Sequence, residues 1–227
     1  MGLDTKYGLT GIQDPTSENG QLFLATYIVL MAKQGAPVHW WVEAQDTMFK
    51  QLESCKVEKG LYNRNPDLTD RRVMSHDNLQ GIMVWSKVCN TFHKFDIWDY
   101  LVKHLGTYDN TKGKSPQLSR LLPFNPANFF IWGLCAEKKW TYIFLPFYMI
   151  SLYITCNKPK EDTSGKILDW LGLYFNDEHF LVDKLFAYYE KKMKEQYGEN
   201  YLKELMNIYH GNQGESFEIL QLVNAKL

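Results

Sequence analysis

The sequence predicts an all-α protein built from antiparallel helical hairpins. Apolar residues recur at intervals of three and four in most segments, which is the spacing of one helix face. Short connections with glycine or proline separate these segments, and short connections place consecutive helices antiparallel. No segment shows the alternation of apolar and polar residues that marks a half-buried strand. We therefore expect one helical domain over residues 1–227.

The helices are predicted in chain order from their periodicity and from their end signals. A first helix over residues 21–34 is apolar on all sides, which predicts a buried central helix. Gly35 and Pro37 end it. Further helices are predicted over residues 40–55, 76–90 and 96–105, from about residue 126, and over residues 140–156, 164–174, 177–197, 201–209 and 217–223.

The segment 140–156 has no charged side chain, so its length must be compared with that of a membrane span. A spanning helix needs about 20 apolar residues, with a lower limit near 17, and this segment only reaches that limit. Pro146 in its middle would kink a helix. We predict a buried, kinked core helix and no association with a membrane. Lysines flank the segment on both sides: Lys138, Lys139, Lys158 and Lys160.

Composition and charge exclude several classes of protein. The formal net charge is −1, which gives no general attraction to nucleic acid or to an anionic membrane. The four cysteines have neither metal-ligand spacing nor the density of a disulfide scaffold, so we expect reduced core side chains. The N-terminal stretch has no apolar run, so no signal peptide is predicted. The expected location is the cytoplasm or a virion.

The densest group of polar side chains lies at residues 64–82. Three arginines, three aspartates and a histidine occupy a loop that leads into a helix. Ser75 is placed to cap this helix, and Asp77 in its first turn is favoured by the positive end of the helix dipole. A purely structural role, with Ser75 as the cap and Asp77 as a first-turn acid, explains the same residues.

A second acidic loop contains Asp14 and Glu18, just before the predicted central helix. In an up-down arrangement every second loop lies at the same end. These two acids are therefore expected to meet the loop that contains His76 and Asp77. Burial and neighbouring charges in such a pocket would shift the pKa values of these groups.

The loop residues resemble those of helical-toroid proteins that act on carbohydrates. The resemblance rests on Asp-Pro-Thr-Ser-Glu-Asn-Gly at 14–20, Asn-Arg-Asn-Pro at 63–66 and Ser-His-Asp-Asn at 75–78. The same pattern is similar to uncharacterised phage-encoded helical proteins. It covers about the first half of the chain. Because helical toroids are usually longer, the resemblance implies a truncated α/α toroid.

This resemblance implies a glycan-active hydrolase or lyase. Hydrolysis needs one carboxyl group that stays protonated and another that stays ionised, whereas a lyase would use a histidine as general base. The implied catalytic residues are Asp14, Glu18, His76 and Asp77. The implied glycan-binding residues are Arg64, Asp70 and Asn78. The guanidinium of Arg64 would suit the carboxylate of an acidic sugar.

Two other functions are compatible with the sequence. The chain partly resembles HD-type metal phosphohydrolases, which are helical and use a histidine, a His-Asp pair and a distant aspartate. The matching residues are His39, the pair His76 and Asp77, and either Asp109 or Asp169. A non-catalytic structural or binding subunit of a larger assembly, such as a phage virion, also fits an aromatic-rich helical scaffold. That reading expects protein partners or self-association.

Several motifs of known chemistry are missing from the sequence. It has no Walker loop, no G-x-G-x-x-G and no nucleophile elbow, so no cofactor is predicted. No metal site is predicted apart from the HD-type alternative. The isolated histidines, among them His93, are expected to be structural or exposed.

Overall fold

The computed structural model describes residues 38–63, 74, 76–106, 108, 126–176, 178 and 180–213. The described residues are about 74% helical, which confirms the predicted all-α class. The helices predicted at 21–34 and 217–223 lie outside them. None of the described helices is long and apolar enough to cross a membrane.

Eight α-helices, one 3₁₀ helix and a two-stranded hairpin make up the described part of the chain. In order they are α1 (Val38–Ser54), β1 (Lys56–Glu58), β2 (Leu61–Tyr62), α2 (His76–Val88), α3 (His93–Lys103), α4 (Pro126–Cys135), the 3₁₀ helix (Lys139–Phe144), α5 (Leu145–Cys156), α6 (Ser164–Tyr174), α7 (Phe180–Tyr197) and α8 (Tyr201–Gln213).

The chain contacts divide the protein into two compact units. The first comprises residues 1–125 and 135–138, and the second comprises residues 126–134 and 139–227. The single domain expected over residues 1–227 stays a prediction. The four cysteines are free thiols; three are buried (Cys55, Cys135 and Cys156), whereas Cys89 is partly exposed and does not belong to the core.

The first unit contains a short β-hairpin that the sequence did not predict. β1 and β2 pair antiparallel, and the turn between them contains Gly60 with φ of +81°. A side chain at this position would also collide with the backbone of Asp96. Strands of three and two residues are too short to show a period of two, so the sequence pattern could not reveal them.

Aromatic side chains fill the interior of the first unit. α2 packs against α3. Trp85 on α2 and Trp98 on α3 are among the largest fully buried side chains of the described residues. The Tyr62 amide donates a hydrogen bond of 2.9 Å to the hydroxyl of Tyr108, so a buried polar group of β2 is satisfied by a residue distant in sequence. These four aromatic side chains therefore belong to the core of the first unit.

In the second unit, α7 packs against α5, α6 and α8. A buried lysine joins these elements. The ammonium of Lys166 on α6 lies 2.8–3.0 Å from four oxygens: the carbonyls of Lys158 and Pro159, the side-chain oxygen of Gln196 and the hydroxyl of Tyr197. Burial lowers the pKa of Lys166, and these hydrogen bonds offset much of the cost of removing a charge from water.

The prediction of one buried, kinked helix at 140–156 is wrong. The segment divides into the 3₁₀ helix and α5, and Pro146 lies in the first turn of α5. A proline in the first turn sacrifices no intrahelical hydrogen bond, so it begins this helix and does not kink it. More of the residues at 140–156 are exposed than buried.

Gly133 on α4 allows a test of the close packing in the second unit. A methyl group at this position would overlap the side chain of Thr141, which is fully buried. We expect Gly133→Ala to lower the free energy of unfolding by about 1–3 kcal/mol, the usual cost of overpacking. Urea unfolding followed by circular dichroism measures this change.

Gly165→Ala is the matched control. A methyl group there would lie 3.4 Å from the nearest atom of Thr155, which is an ordinary van der Waals contact. Because alanine also favours a helix by up to about 1 kcal/mol over glycine, stability should stay equal or rise. Equal losses in the two variants would contradict the close contact between α4 and the 3₁₀ helix.

Candidate functional site

The described residues include two members of the predicted polar site. His76 and Asn78 lie in the first turn of α2, which begins where the sequence predicted. Four other predicted site residues lie outside the described part of the chain: Asp14, Glu18, Arg64 and Asp70. The side chain of Asp77 also lies outside it. Their convergence and the toroid therefore stay predictions.

His76 is a neutral but weakly basic side chain. It is half-buried, and burial lowers its pKa to about 4, so the imidazole is neutral at pH 7. Asn78 is buried. The amide of Met74 donates to the carbonyl of Tyr62 at 3.4 Å, so the chain before residue 64 and the chain after residue 73 are joined.

A chain of polar side chains joins α1 to the connection between α2 and α3. His93 is fully buried, and its Nε2 lies 3.2 Å from Oε1 of Glu53. Its Nδ1 lies 3.1 Å from the hydroxyl of Thr91. That hydroxyl is 2.6 Å from the hydroxyl of Ser86, which also accepts a hydrogen bond from the Lys94 amide. We call these four side chains (Glu53, His93, Thr91 and Ser86) the polar relay.

The surroundings of His93 determine its tautomer. Burial lowers its pKa, whereas the hydrogen bond that it donates to Glu53 raises it, and burial is the larger effect. A neutral imidazole has one N–H, and the Glu53 carboxylate can only accept. Nε2 therefore carries the proton, and Nδ1 accepts a hydrogen bond from Thr91. The ring of Phe92 stacks on His93 with centroids 4.3 Å apart.

The polar relay has the order of groups that activates a hydroxyl nucleophile: a carboxylate, an imidazole and a hydroxyl. Nucleophilic catalysis, however, requires that a substrate reach the hydroxyl and the imidazole together. The His93 ring has no exposed surface and is covered by aromatic neighbours. The arrangement therefore acts as a buried clamp between α1 and the start of α3. Sequence analysis missed it, because Glu53 lies forty residues before His93.

The second unit contains a carboxyl group with an unusual protonation state. Asp169 on α6 accepts a hydrogen bond of 3.0 Å from the hydroxyl of Tyr148 on α5. Burial raises the pKa of Asp169 from the usual 3.8 to about 7, against the lowering effect of the hydrogen bonds from Tyr148 and Thr155. The carboxyl group of Asp169 is therefore partly protonated at pH 7.

The described residues contain no group of three His, Cys, Asp or Glu side chains arranged to hold a metal ion. Asp169 was one of the two aspartates matched to the HD-type pattern. The other residues of that pattern, the side chain of His39 and Asp109, lie outside the described part. The HD-type alternative therefore stays a prediction without a supporting observation.

A shallow cleft of about 370 Å³ lies where α7 ends. Its lining includes Lys160, Tyr197, Glu199 and Glu204. Gly198, with φ of +86°, ends the helix at this point. The cleft contains none of the predicted site residues, and its mixture of one base and two acids does not select a ligand class.

The most unusual surface of the described chain is an apolar side of α5. Its side chains are Pro146, Phe147, Met149, Ile150, Tyr153 and Ile154, and we call this set the exposed α5 face. The exposed fraction of the last five ranges from 51% for Met149 to 62% for Tyr153. Two apolar residues of the preceding 3₁₀ helix are also exposed: Trp140 at 49% and Ile143 at 64%.

The six side chains form one continuous strip. At 100° per residue they occupy an arc of roughly 160° around the helix axis. The opposite side of α5 is buried, through Tyr148, Leu152, Thr155 and Cys156. α5 is therefore apolar on both sides, although only one side is covered by the protein. A helix that faces water normally carries polar residues there.

Comparisons with protein-family models, with curated proteins and with solved structures give no significant match.

The polar relay predicts a specific loss of stability. Thr91→Val removes the hydroxyl that His93 Nδ1 accepts from, which leaves a buried acceptor without its partner. We expect the free energy of unfolding to fall by about 1–3 kcal/mol. Thr91→Ser keeps the hydroxyl and should lose less than half as much. Equal losses in urea unfolding of the two variants would show that packing of the methyl group, not the hydrogen bond, matters.

The raised pKa of Asp169 predicts that the stability of the protein depends on pH. Because its pKa is raised in the folded protein, the folded chain retains a proton that the unfolded chain releases between about pH 4 and pH 7. The free energy of unfolding should therefore fall as pH rises through this window. Asp169→Asn removes this dependence.

The measurement is the difference in unfolding free energy between wild type and Asp169→Asn at pH 4 and pH 8. Between pH 4 and pH 8 the unfolding free energy of wild type should fall by about 1–4 kcal/mol more than that of the variant, since one pKa unit corresponds to about 1.4 kcal/mol. Other titrating groups cancel in this difference. A difference that is constant with pH would mean that Asp169 is ionised in the folded protein.

Proposed function

We propose that this protein is a binding subunit that docks onto a larger partner through the exposed α5 face. The observation that carries the proposal is the continuous apolar strip of α5, with large side chains more than half exposed. Contiguous exposed apolar surface of this kind is rare on isolated soluble proteins and marks interaction sites. Covering it would contribute about 25 cal/mol for each Å² of apolar surface removed from water.

The attachment of α5 supports docking over a rearrangement that would hide the face. Leu152 and Cys156 are fully buried on the inner side of α5, and Tyr148 is hydrogen-bonded to Asp169. Turning the apolar strip inward would expose these groups and break that hydrogen bond. An external partner can cover the strip without this loss.

The glycan-active hydrolase or lyase remains the alternative. It depends on Asp14, Glu18, Arg64, Asp70 and the Asp77 side chain, and no described contact favours it. The neutral His76 is compatible with either function.

Photo-crosslinking in cells that produce the protein tests the docking function. A photoreactive phenylalanine derivative replaces Ile150 in the exposed α5 face. The same derivative at Val102 on α3 is the control, because that side chain is also apolar and exposed, at 42% against 60% for Ile150. We expect crosslinked products at position 150 and few or none at position 102.

A second arm links the crosslinks to the apolar character of the face. Ile154→Glu places a charge beside the probe and should suppress the products at position 150. As an exposed substitution it should change the free energy of unfolding by less than about 1 kcal/mol. Equal crosslinking at positions 150 and 102, or products that persist in the Ile154→Glu background, would refute the proposal.

A further inference from the structure

We infer that the partner of the exposed α5 face is the surface of an anionic phospholipid bilayer, on which α5 lies parallel to the membrane plane. The inference rests on the docking function proposed above. Three properties of the α5 region support it: hydrogen-bonding capacity, charge and length.

The exposed α5 face presents almost no hydrogen-bonding groups to a protein partner. Among its six side chains the Tyr153 hydroxyl is the sole polar group. Protein interfaces usually contain about one hydrogen bond per 100–200 Å². Lipid acyl chains need no such partners, so a face of this chemistry loses nothing when it enters the outer part of a bilayer.

The sequence stretch that contains the face is basic. Residues 138–160 contain four lysines and no acidic residue. Lys139 precedes the face and Lys160 follows it, and both are exposed. Of the acids just beyond, Glu137 pairs with Lys94 at 2.6 Å and Asp162 pairs with Lys158 at 2.8 Å.

The charge near the face determines how much of the membrane affinity is electrostatic and how much comes from apolar contact. Lys139 and Lys160 are exposed and exposed Glu161 follows Lys160 directly, so the net positive charge near the face is small. Each basic residue close to an anionic surface strengthens binding about fivefold. Apolar contact therefore supplies most of the affinity, and anionic lipid adds a moderate increase.

A second copy of the chain fits the face less well. If two α5 helices packed antiparallel, the Lys139 end of one would meet the Lys160 end of the other. If they packed parallel, each lysine would meet its own equivalent. Both arrangements bring like charges together, whereas lipid phosphates neutralise them.

The dimensions favour a helix that lies on the membrane. α5 has 12 residues, so it is about 18 Å long, whereas the hydrocarbon core is about 30 Å thick. Trp140 and Tyr153 are half-exposed amphipathic rings, of the type that concentrates at the boundary between headgroups and acyl chains. The other side of α5 remains packed on the protein, as an in-plane helix requires.

Vesicle flotation with the purified full chain tests the inference. The vesicles are phosphatidylcholine alone, or phosphatidylcholine mixed with phosphatidylserine. Wild type should float with both and bind the mixed vesicles about fivefold more tightly. The double variant Ile150→Gln/Ile154→Gln should bind at least about tenfold more weakly to both, because it removes apolar contact.

Two further variants separate the contributions. Lys139→Gln should weaken binding to the mixed vesicles about fivefold and leave binding to phosphatidylcholine unchanged. Val102→Gln, which removes an exposed apolar side chain from α3, should bind like wild type. Far-ultraviolet circular dichroism checks that each variant is folded, and the single change Ile150→Gln replaces the double variant if that one does not fold.

The outcomes distinguish this inference from the docking function. Failure of wild type to float with either vesicle, or equal loss in Val102→Gln and the double variant, overturns the membrane inference. If wild type instead forms a dimer in sedimentation and the double variant is monomeric, the partner is a second copy, and the docking function stands without the membrane. Absence of position-specific crosslinks at residue 150 overturns the docking function itself.

Discussion

The buried ammonium of Lys166 is the constraint on which the second unit depends. A lysine removed from water costs several kcal/mol unless oxygens replace its hydration shell, and four oxygens do so here. Two of them are carbonyls of the turn that follows α5, and two belong to the last residues of α7. Gln196 also donates to the carbonyl of Cys156 at 2.6 Å. The C-terminal end of α5 is therefore held in one position relative to α6 and α7.

Because its end is held in this way, the two sides of α5 have different environments. The side with Tyr148 and Leu152 completes the core, and the hydrogen bond to Asp169 fixes the rotation of the helix. The opposite side has no such cover, although its side chains are equally apolar. The packing that makes the unit stable also orients the exposed α5 face outward, where a partner can reach it.

The first unit handles its buried polar groups differently. Burial keeps His93 neutral, so no net charge other than that of half-exposed Glu53 has to be compensated in the polar relay. Lys94 is buried too, but its ammonium reaches Glu137 at 2.6 Å near the surface. In both units a buried polar side chain is satisfied by groups distant in sequence, and these contacts decide the packing of helices whose apolar stripes alone would permit several arrangements.

The sequence by itself determined the helical class and the positions of most helices, because apolar spacing and local end signals such as Gly198 act within a few residues. It also determined where His76 and Asn78 lie, at the start of α2. Tertiary structure alone decided the role of Lys166, since its acceptors lie up to thirty-one residues away. It also decided the pairing of Glu53 with His93. It decided, finally, which side of α5 is covered: a helix apolar all round has the same sequence pattern whether it is enclosed or half exposed, because periodicity records the character of each face and not what packs against it.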